Sequence, residues 1–228
     1  MGFKKDDPGT IPKSSFNEKL VFCPVSTKRG TVHMRRFVLV LTLMLFLLGP
    51  SLSRAAGLDA DADGLSDLLE AKFKTDIVNP DSDSDGYPDG LEVNNGYDPL
   101  QGRGIKLKKR IEINVKTQKL QYFLGNVSMG EYVISTGKKS TPTPKGSFVV
   151  KNKLPRPKSQ AYGLWMPYWL GLSAAGIGIH ELPEWGKGKK ESAADLGKAV
   201  SHGCIRLGVG PAKKLYDWAE VGTEVKVY

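Results

Sequence analysis

The chain has 228 residues, 40% of them hydrophobic, and a net charge of +9. That is enough for one ordinary domain plus a small module, and it excludes a chain with no packed core. Residues 1–55 carry 9 basic and 3 acidic groups, residues 56–102 carry 2 and 12, and residues 103–228 carry 22 and 9, giving balances of +6, −10 and +13. An acidic block followed by a basic one argues for two modules with different partners.

The first feature along the chain is a processing segment. Met34-Arg35-Arg36 precedes FVLVLTLMLFLL, residues 37–48, a 12-residue run without a charge. It is short for a membrane span and has the length of a signal-peptide core. Gly49 and Pro50 break it, and Ser53 and Ala55 are small residues at the −3 and −1 positions of a cleavage site. Residues 34–55 are therefore predicted to be a signal peptide, and membrane contact is expected only through it, before cleavage. Residues 1–33 read as an upstream extension from a misassigned start, with Met34 the initiator. Excision removes Cys23 and leaves Cys204 as the lone mature thiol. Exported proteins usually pair their cysteines, so a lone one is either inert and buried or reactive.

Residues 56–100 hold a repeat with a period of 22: DADADGLSDLLE at 59–70 and DSDSDGYPDGLE at 81–92. Aspartates at positions 1, 3 and 5 converge on one point, glycine at 6 allows a sharp turn, position 7 offers a carbonyl and position 12 a bidentate glutamate. The expected ligands of the first loop are Asp59, Asp61, Asp63, the Leu65 carbonyl, Asp67 and Glu70. Those of the second are Asp81, Asp83, Asp85, the Tyr87 carbonyl, Asp89 and Glu92. Such all-oxygen cages suit Ca²⁺ over Mg²⁺. The repeats resemble bacterial thrombospondin type 3 repeats and share the loop of EF-hands and dockerins. LSDLLEAKF reads as one following helix, and no full helix precedes the first loop, so a structural calcium spacer is expected rather than a sensor. The bland alternative is a disordered acidic linker.

Residues 101–109, rich in glycine and lysine, read as a linker to a domain at 110–228. Period-two alternation then sets in. RIEINV and KLQYFL form a hairpin, EYVIST and GSFVVK are further strands around the loop TPTPKG, and GIGIH is a short buried strand ending in His180. PAKKLYDWAE begins with proline and has helical spacing, and TEVKVY closes the chain as a strand. The expectation is a mainly β domain with one or two short helices.

The chemistry lies in AVSHGCIRLG, residues 199–208. Cys204 follows His202 and Gly203, and His180 lies 24 residues upstream; these are the only histidines of the mature chain. An imidazole near a thiol takes its proton and holds a thiolate–imidazolium pair. Gly203 permits a tight turn, so the N–H groups of residues 203 and 204 are expected to face a developing oxyanion. A structural cysteine with two surface histidines is the plain alternative. Zinc is disfavoured, because no second cysteine is available.

S-H-G-C-I-R with a preceding G-I-H resembles the catalytic signature of YkuD-type L,D-transpeptidases, and the likeness extends over roughly 105–228 through IEINVKTQKLQYF, TPTPKGSF and the C-terminal tail. The resemblance implies a β-sandwich-like fold in which Cys204 attacks a peptide carbonyl and His180 is the base. It implies that Ser201 and His202 line the pocket, with His202 a second candidate base, and that Arg206 holds a substrate carboxylate. The Glu181 carbonyl would fix the His180 tautomer, although many members have a smaller residue there. ELPEWGKGKKESAADLGKAV, long for the family, is expected to form a flexible lid. The implied substrate is the stem peptide of peptidoglycan in the periplasm or cell wall, with no cofactor for catalysis. An amine acceptor would make the reaction a transpeptidation, and water would make it a carboxypeptidase or wall-linkage hydrolase. A different class, a calcium-stabilised wall-binding module without activity, is weighed against intact Cys204 and His180. The basic surface suits an anionic wall polymer; nucleic acid would suit the charge but not the compartment.

Overall fold

Alternation of apolar and polar residues decides the first pairing of the domain. In the computed structural model, which describes residues 57–228 apart from Arg103, Ile111 pairs across from Tyr122 and Ile113 from Leu120, antiparallel. All four side chains are buried on one face, as a two-residue period requires. The predicted signal segment and the stretch before it lie outside the described residues. No helix among the described residues is long and apolar enough to cross a membrane.

The helices are α1 (Asp67–Phe73), α2 (Asp89–Asn95) and α3 (Pro211–Trp218). The strands are β1 (Lys109–Asn114), β2 (Lys119–Leu124), β3 (Val127–Gly137), β4 (Gly146–Val149), β5 (Asn152–Leu154), β6 (Trp169–Gly171), β7 (Gly178–Glu181), β8 (Ala199–Ser201), β9 (Ile205–Leu207) and β10 (Glu224–Val227). One sheet runs β4-β10-β1-β2-β3-β9-β7-β6-β5, with β8 paired to β3 off that path. The hairpin, the loop before β4, the strand that ends near His180, the proline-started helix and the closing strand all match the sequence reading. The three-residue strands β5, β6, β8 and β9 were beyond it, because three residues show no period.

Strand β3 is the pivot. Its first half pairs with β2, while Ile134 and Ser135 pair with β9 and Thr136 and Gly137 with β8. The long curled sheet encloses Ile111, Ile113, Leu120, Ile134, Leu170, Ile179, Ile205, Leu207 and Val225, and α3 adds Ala212 and Leu215. Each fully buried aliphatic side chain here contributes roughly 1.5–3 kcal/mol. This core fixes the two parallel strands β7 and β9, whose register sets His180 beside Arg206.

The acidic module and this domain belong to one compact unit, Asp59–Tyr228. Leu65, Phe73 and Val93 of the module form a second small core with Leu124 of β2, and Leu107, Val127 and Met129 pack against it. Lys72 Nζ donates to the Ser128 carbonyl at 3.1 Å. The segment expected to be a linker is pinned: Asp98 N donates to the Ile105 carbonyl, Leu107 N to Gly96 and Gly125 N to Lys108, and Lys109 already belongs to β1. Leu107 within the lysine-rich run packs against the second core, while Ile105 takes part through its backbone carbonyl. The expected helix after the first loop is α1, and a matching α2 follows the second.

Candidate functional site

Cys204 sits in the turn between β8 and β9. Gly203 has φ +113°, and a Cβ there would approach Ile177 Cδ1 to 2.9 Å, so this turn needs glycine for both conformation and space. Ser201 is fully buried and clamps the turn: its Oγ donates to the Cys204 carbonyl at 2.6 Å and accepts the Gly203 N–H at 3.1 Å. This corrects the oxyanion expectation at one position, since the Gly203 N–H is already engaged within the turn. The TPTPKG loop braces it from outside. Thr143 Oγ1 donates to the Gly203 carbonyl at 2.9 Å and accepts the Gly137 N–H at 2.8 Å, and Thr141 Oγ1 donates to the Ser201 carbonyl at 3.2 Å. Sequence reasoning missed Thr141 and Thr143; their signal is a pair of β-branched hydroxyls, each followed by a proline, in the Thr141-Pro142-Thr143-Pro144 run.

His180 lies on β7, 1% exposed. Its Nδ1 is 2.5 Å from the Glu181 carbonyl, so Nδ1 carries the hydrogen and Nε2 is left as an acceptor. Burial pushes its pKa down to about 4; the carbonyl contact opposes the shift and the Arg206 charge adds to it. The Trp169 ring stacks on the imidazole, with centroids 5.8 Å apart. Gly178 makes room, for a Cβ there would meet Trp169 at 2.7 Å. Burial likewise pushes the Cys204 thiol up, partly offset by the Gly178 N–H and by Arg206. Cys204 Sγ donates to the Gly176 carbonyl at 3.5 Å. Burial thus disfavours the charged form of both groups, against the thiolate–imidazolium pair expected from the sequence.

Cys204, His180, Ser201, His202 and Arg206 line one cavity of about 640 Å³. His202 is on its exposed rim, its ring tilted against Tyr162 with centroids 4.9 Å apart, and its Nε2 is 3.3 Å from Lys138 Nζ. A lysine donating to Nε2 occupies the lone pair a base would use, which favours His180 for that role. Arg206, 8% exposed, holds the Glu191 carboxylate through Nη1 at 2.9 and 2.8 Å. The segment expected to form a lid is strapped to its neighbours by backbone bridges and ion pairs. Trp165, Glu184 and Lys190 form successive bridges, Arg156 pairs with Glu184, and Lys190 with Glu181. Glu181, the departure from the family pattern, serves as that lysine's anchor.

The acidic loops form two clusters. Carboxylate oxygens of Asp59, Asp61 and Asp63 lie within 4.8 Å of one another, as do those of Asp81, Asp83 and Asp85. Gly64 and Gly86 have φ of +95° and +93°, as a turn at position 6 demands. Glu70 and Glu92 are 0% exposed, and neither carboxylate has a hydrogen-bond partner. Burial, then neighbouring aspartates, push Glu70 up to about 7 and Glu92 up to about 8. Two buried, unpaired acids beside three more carboxylates each are what a cation would relieve. The position-nine residues face back along their loops: Asp67 accepts the Ala60 N–H and Asp89 the Ser82 N–H and hydroxyl. Leu65 and Tyr87 at position seven bind their N–H groups to Asp63 and Asp85, and the Leu65 side chain is in the second core. The loops interlock, since Gly90 N donates to Asp63 Oδ2 at 2.7 Å.

The sequence profile of the L,D-transpeptidase catalytic domain named YkuD matches residues 108–227. A Bacillus licheniformis protein carrying the name L,D-transpeptidase YkuD is 32% identical over 118 residues, which is 52% of this chain and 64% of that one. This chain therefore spans less than two thirds of that relative's length. A Bacillus subtilis protein named L,D-transpeptidase YqjB is 30% identical over 145 residues, covering 58% of this chain and 75% of that one. Among solved structures, that of the LD transpeptidase LdtMt1 in complex with imipenem has a TM-score of 0.50 at 22% identity, covering 55% of this chain and 61% of that one, a likeness of fold.

Proposed function

The chain belongs to the YkuD L,D-transpeptidase catalytic-domain family, and from that premise we propose that it is an exported cysteine acyltransferase acting on peptidoglycan stem peptides. The observation that carries this reading is the joint placement of Cys204 and a tautomer-fixed His180 in one cavity. The resting thiol gives its proton to His180 Nε2 as Sγ attacks the carbonyl of the bond between an L-centre and a D-centre. The tetrahedral adduct collapses as His180 returns the proton to the departing amine of the terminal D-residue, the C–N bond breaks, and a thioester on Cys204 remains. An acceptor amine attacks the thioester and gives its proton to His180, which passes it to Sγ. The Glu181 carbonyl contact at Nδ1 leaves Nε2 of the neutral imidazole free to accept the thiol proton.

The N-terminal signal reading and the family's wall substrate together support a periplasmic or wall-side location. The acidic module is part of the same proposal: Asp59, Asp61, Asp63 and Glu70 would hold one structural calcium ion, and Asp81, Asp83, Asp85 and Glu92 a second. The buried, unpartnered glutamates support this assignment. The ions neutralise charge in the module and take no part in the chemistry.

Incubating purified mature protein with sacculi and analysing muropeptides by mass spectrometry tests the enzymatic reading. New 3→3 crosslinks or exchanged terminal residues, absent with Cys204→Ala, are expected. Unchanged muropeptides would overturn it.

A further inference from the structure

The segment between base and nucleophile is fastened at two successive residues. Lys190 pairs with Glu181, the residue after the base, and Glu191 pairs with Arg206, two residues after the nucleophile. His180 and Arg206 are cross-strand partners on parallel β7 and β9, so their side chains share a face, and that face opens on the cavity that Cys204 and Glu191 also line. Glu191 is thus a carboxylate held inside the reaction cavity by a buried guanidinium.

That placement has a chemical reason. A buried guanidinium needs a counter-charge in every state the site visits. Glu191 supplies it here, but only to Nη1, and the buried Nε–H of Arg206 has no partner. A guanidinium has five donors in a fixed fork and suits a carboxylate bound side-on through the Nε edge. The stem-peptide donor carries a carboxylate on its terminal D-residue, the group that leaves. Its arrival exchanges one carboxylate for another at Arg206, so the buried positive charge is compensated throughout.

We propose, resting on the transpeptidase reading above, that Glu191 is a specificity-determining residue that stands in for the donor's terminal carboxylate on Arg206 and is displaced by it. A donor with a free C-terminal carboxylate releases the strap from Arg206; a donor whose C-terminus is amidated cannot. Lys190 keeps the strap attached to β7 during the exchange, so the displacement is confined to Glu191 and its near neighbours. Departure of the free D-amino acid returns Arg206 to Glu191.

The test uses the mature protein with a synthetic tetrapeptide donor, prepared as the free acid and as the C-terminal amide, and a fixed acceptor amine. Glu191→Gln removes the competing charge and keeps the shape. It is expected to lower KM for the acid donor about tenfold, the equivalent of one ion-pair exchange at about 1.4 kcal/mol, with kcat within twofold. KM for the amide donor should stay within twofold. A purely structural role would move both donors together. Adding Arg206→Gln to Glu191→Gln should abolish the preference for the acid donor, and this comparison between donors stands even if the double variant is less stable. KM values that shift equally for acid and amide, or for neither, overturn the proposal while leaving the enzyme reading intact. Absence of turnover by the unmodified protein with either donor overturns the enzyme reading and this one with it.

Discussion

The two regions of the molecule treat buried charge in opposite ways. In the catalytic domain the acids at the site each have a basic partner: buried Glu181 has Lys190, buried Glu184 has Arg156, and half-buried Glu191 has Arg206. In the acidic module Glu70 and Glu92 are just as deeply buried and have none. Ionised carboxylates without partners are not stable in a dry interior. The difference is that the catalytic domain pairs its site carboxylates with its own basic side chains, while Glu70 and Glu92 have no such partner among the described residues. The regions are nonetheless joined, because Leu65, Phe73 and Val93 share a core with Leu124.

Removing calcium should break the comparison most severely. At a hundredfold excess over Kd, each site is expected to add about 2.7 kcal/mol to the stability of whatever unit it belongs to. Thermal melts of the mature protein in calcium and in EGTA measure this; a Tm insensitive to calcium would contradict the assignment. Next in size is the shared core. Leu124→Ala is expected to cost about 2–5 kcal/mol and also to weaken calcium binding by calorimetry, since Leu124 packs with Leu65 of the first loop. Loss of stability with unchanged calcium affinity would show that the regions are energetically separate.

The third test is a pH dependence. His180 has its pKa pushed down to about 4 from an ordinary 6.5, so between these values the unfolded chain binds the proton and the folded one does not. Its contribution is complete above pH 6.5 and lost as pH falls toward 4, by on the order of 3 kcal/mol at most. The urea stability of the unmodified protein, minus that of His180→Gln, should fall over this window; a constant difference would contradict the buried neutral imidazole. The smallest effects separate the two kinds of buried acid. Glu70→Gln should raise stability in EGTA by about 1–3 kcal/mol, by removing a buried unpaired charge, and lower it in calcium. Glu181→Gln should lower stability in both, because it strands Lys190.

What was legible in the sequence follows from how local each feature is. The twelve-residue loops show their acidic spacing within one short segment, and the carboxylates of Asp59, Asp61 and Asp63, like those of Asp81, Asp83 and Asp85, do lie close together. The S-H-G-C-I-R turn and the His180 strand were legible because motif and alternation agree. Less local features were not. The three-residue strands that bring β7 against β9 have no periodic signature. The pairing of Glu191 with Arg206 depends on how a 20-residue insertion folds back, and nothing in its composition selects Glu191 over Glu184. The fate of the Gly203 N–H depends on the Ser201 rotamer. The lysine-rich connection read as a linker because its lysines hide the one residue that packs, Leu107, and its backbone pairings have no signature in composition.

The central claim is that Cys204 is an acylating nucleophile served by His180. The most direct measurement is the intact mass of the mature protein after exposure to a carbapenem. The account predicts one adduct of drug mass on the unmodified protein, none on Cys204→Ala, and much slower formation on His180→Gln. Absence of an adduct on the unmodified protein, or an equal adduct on Cys204→Ala, would contradict it.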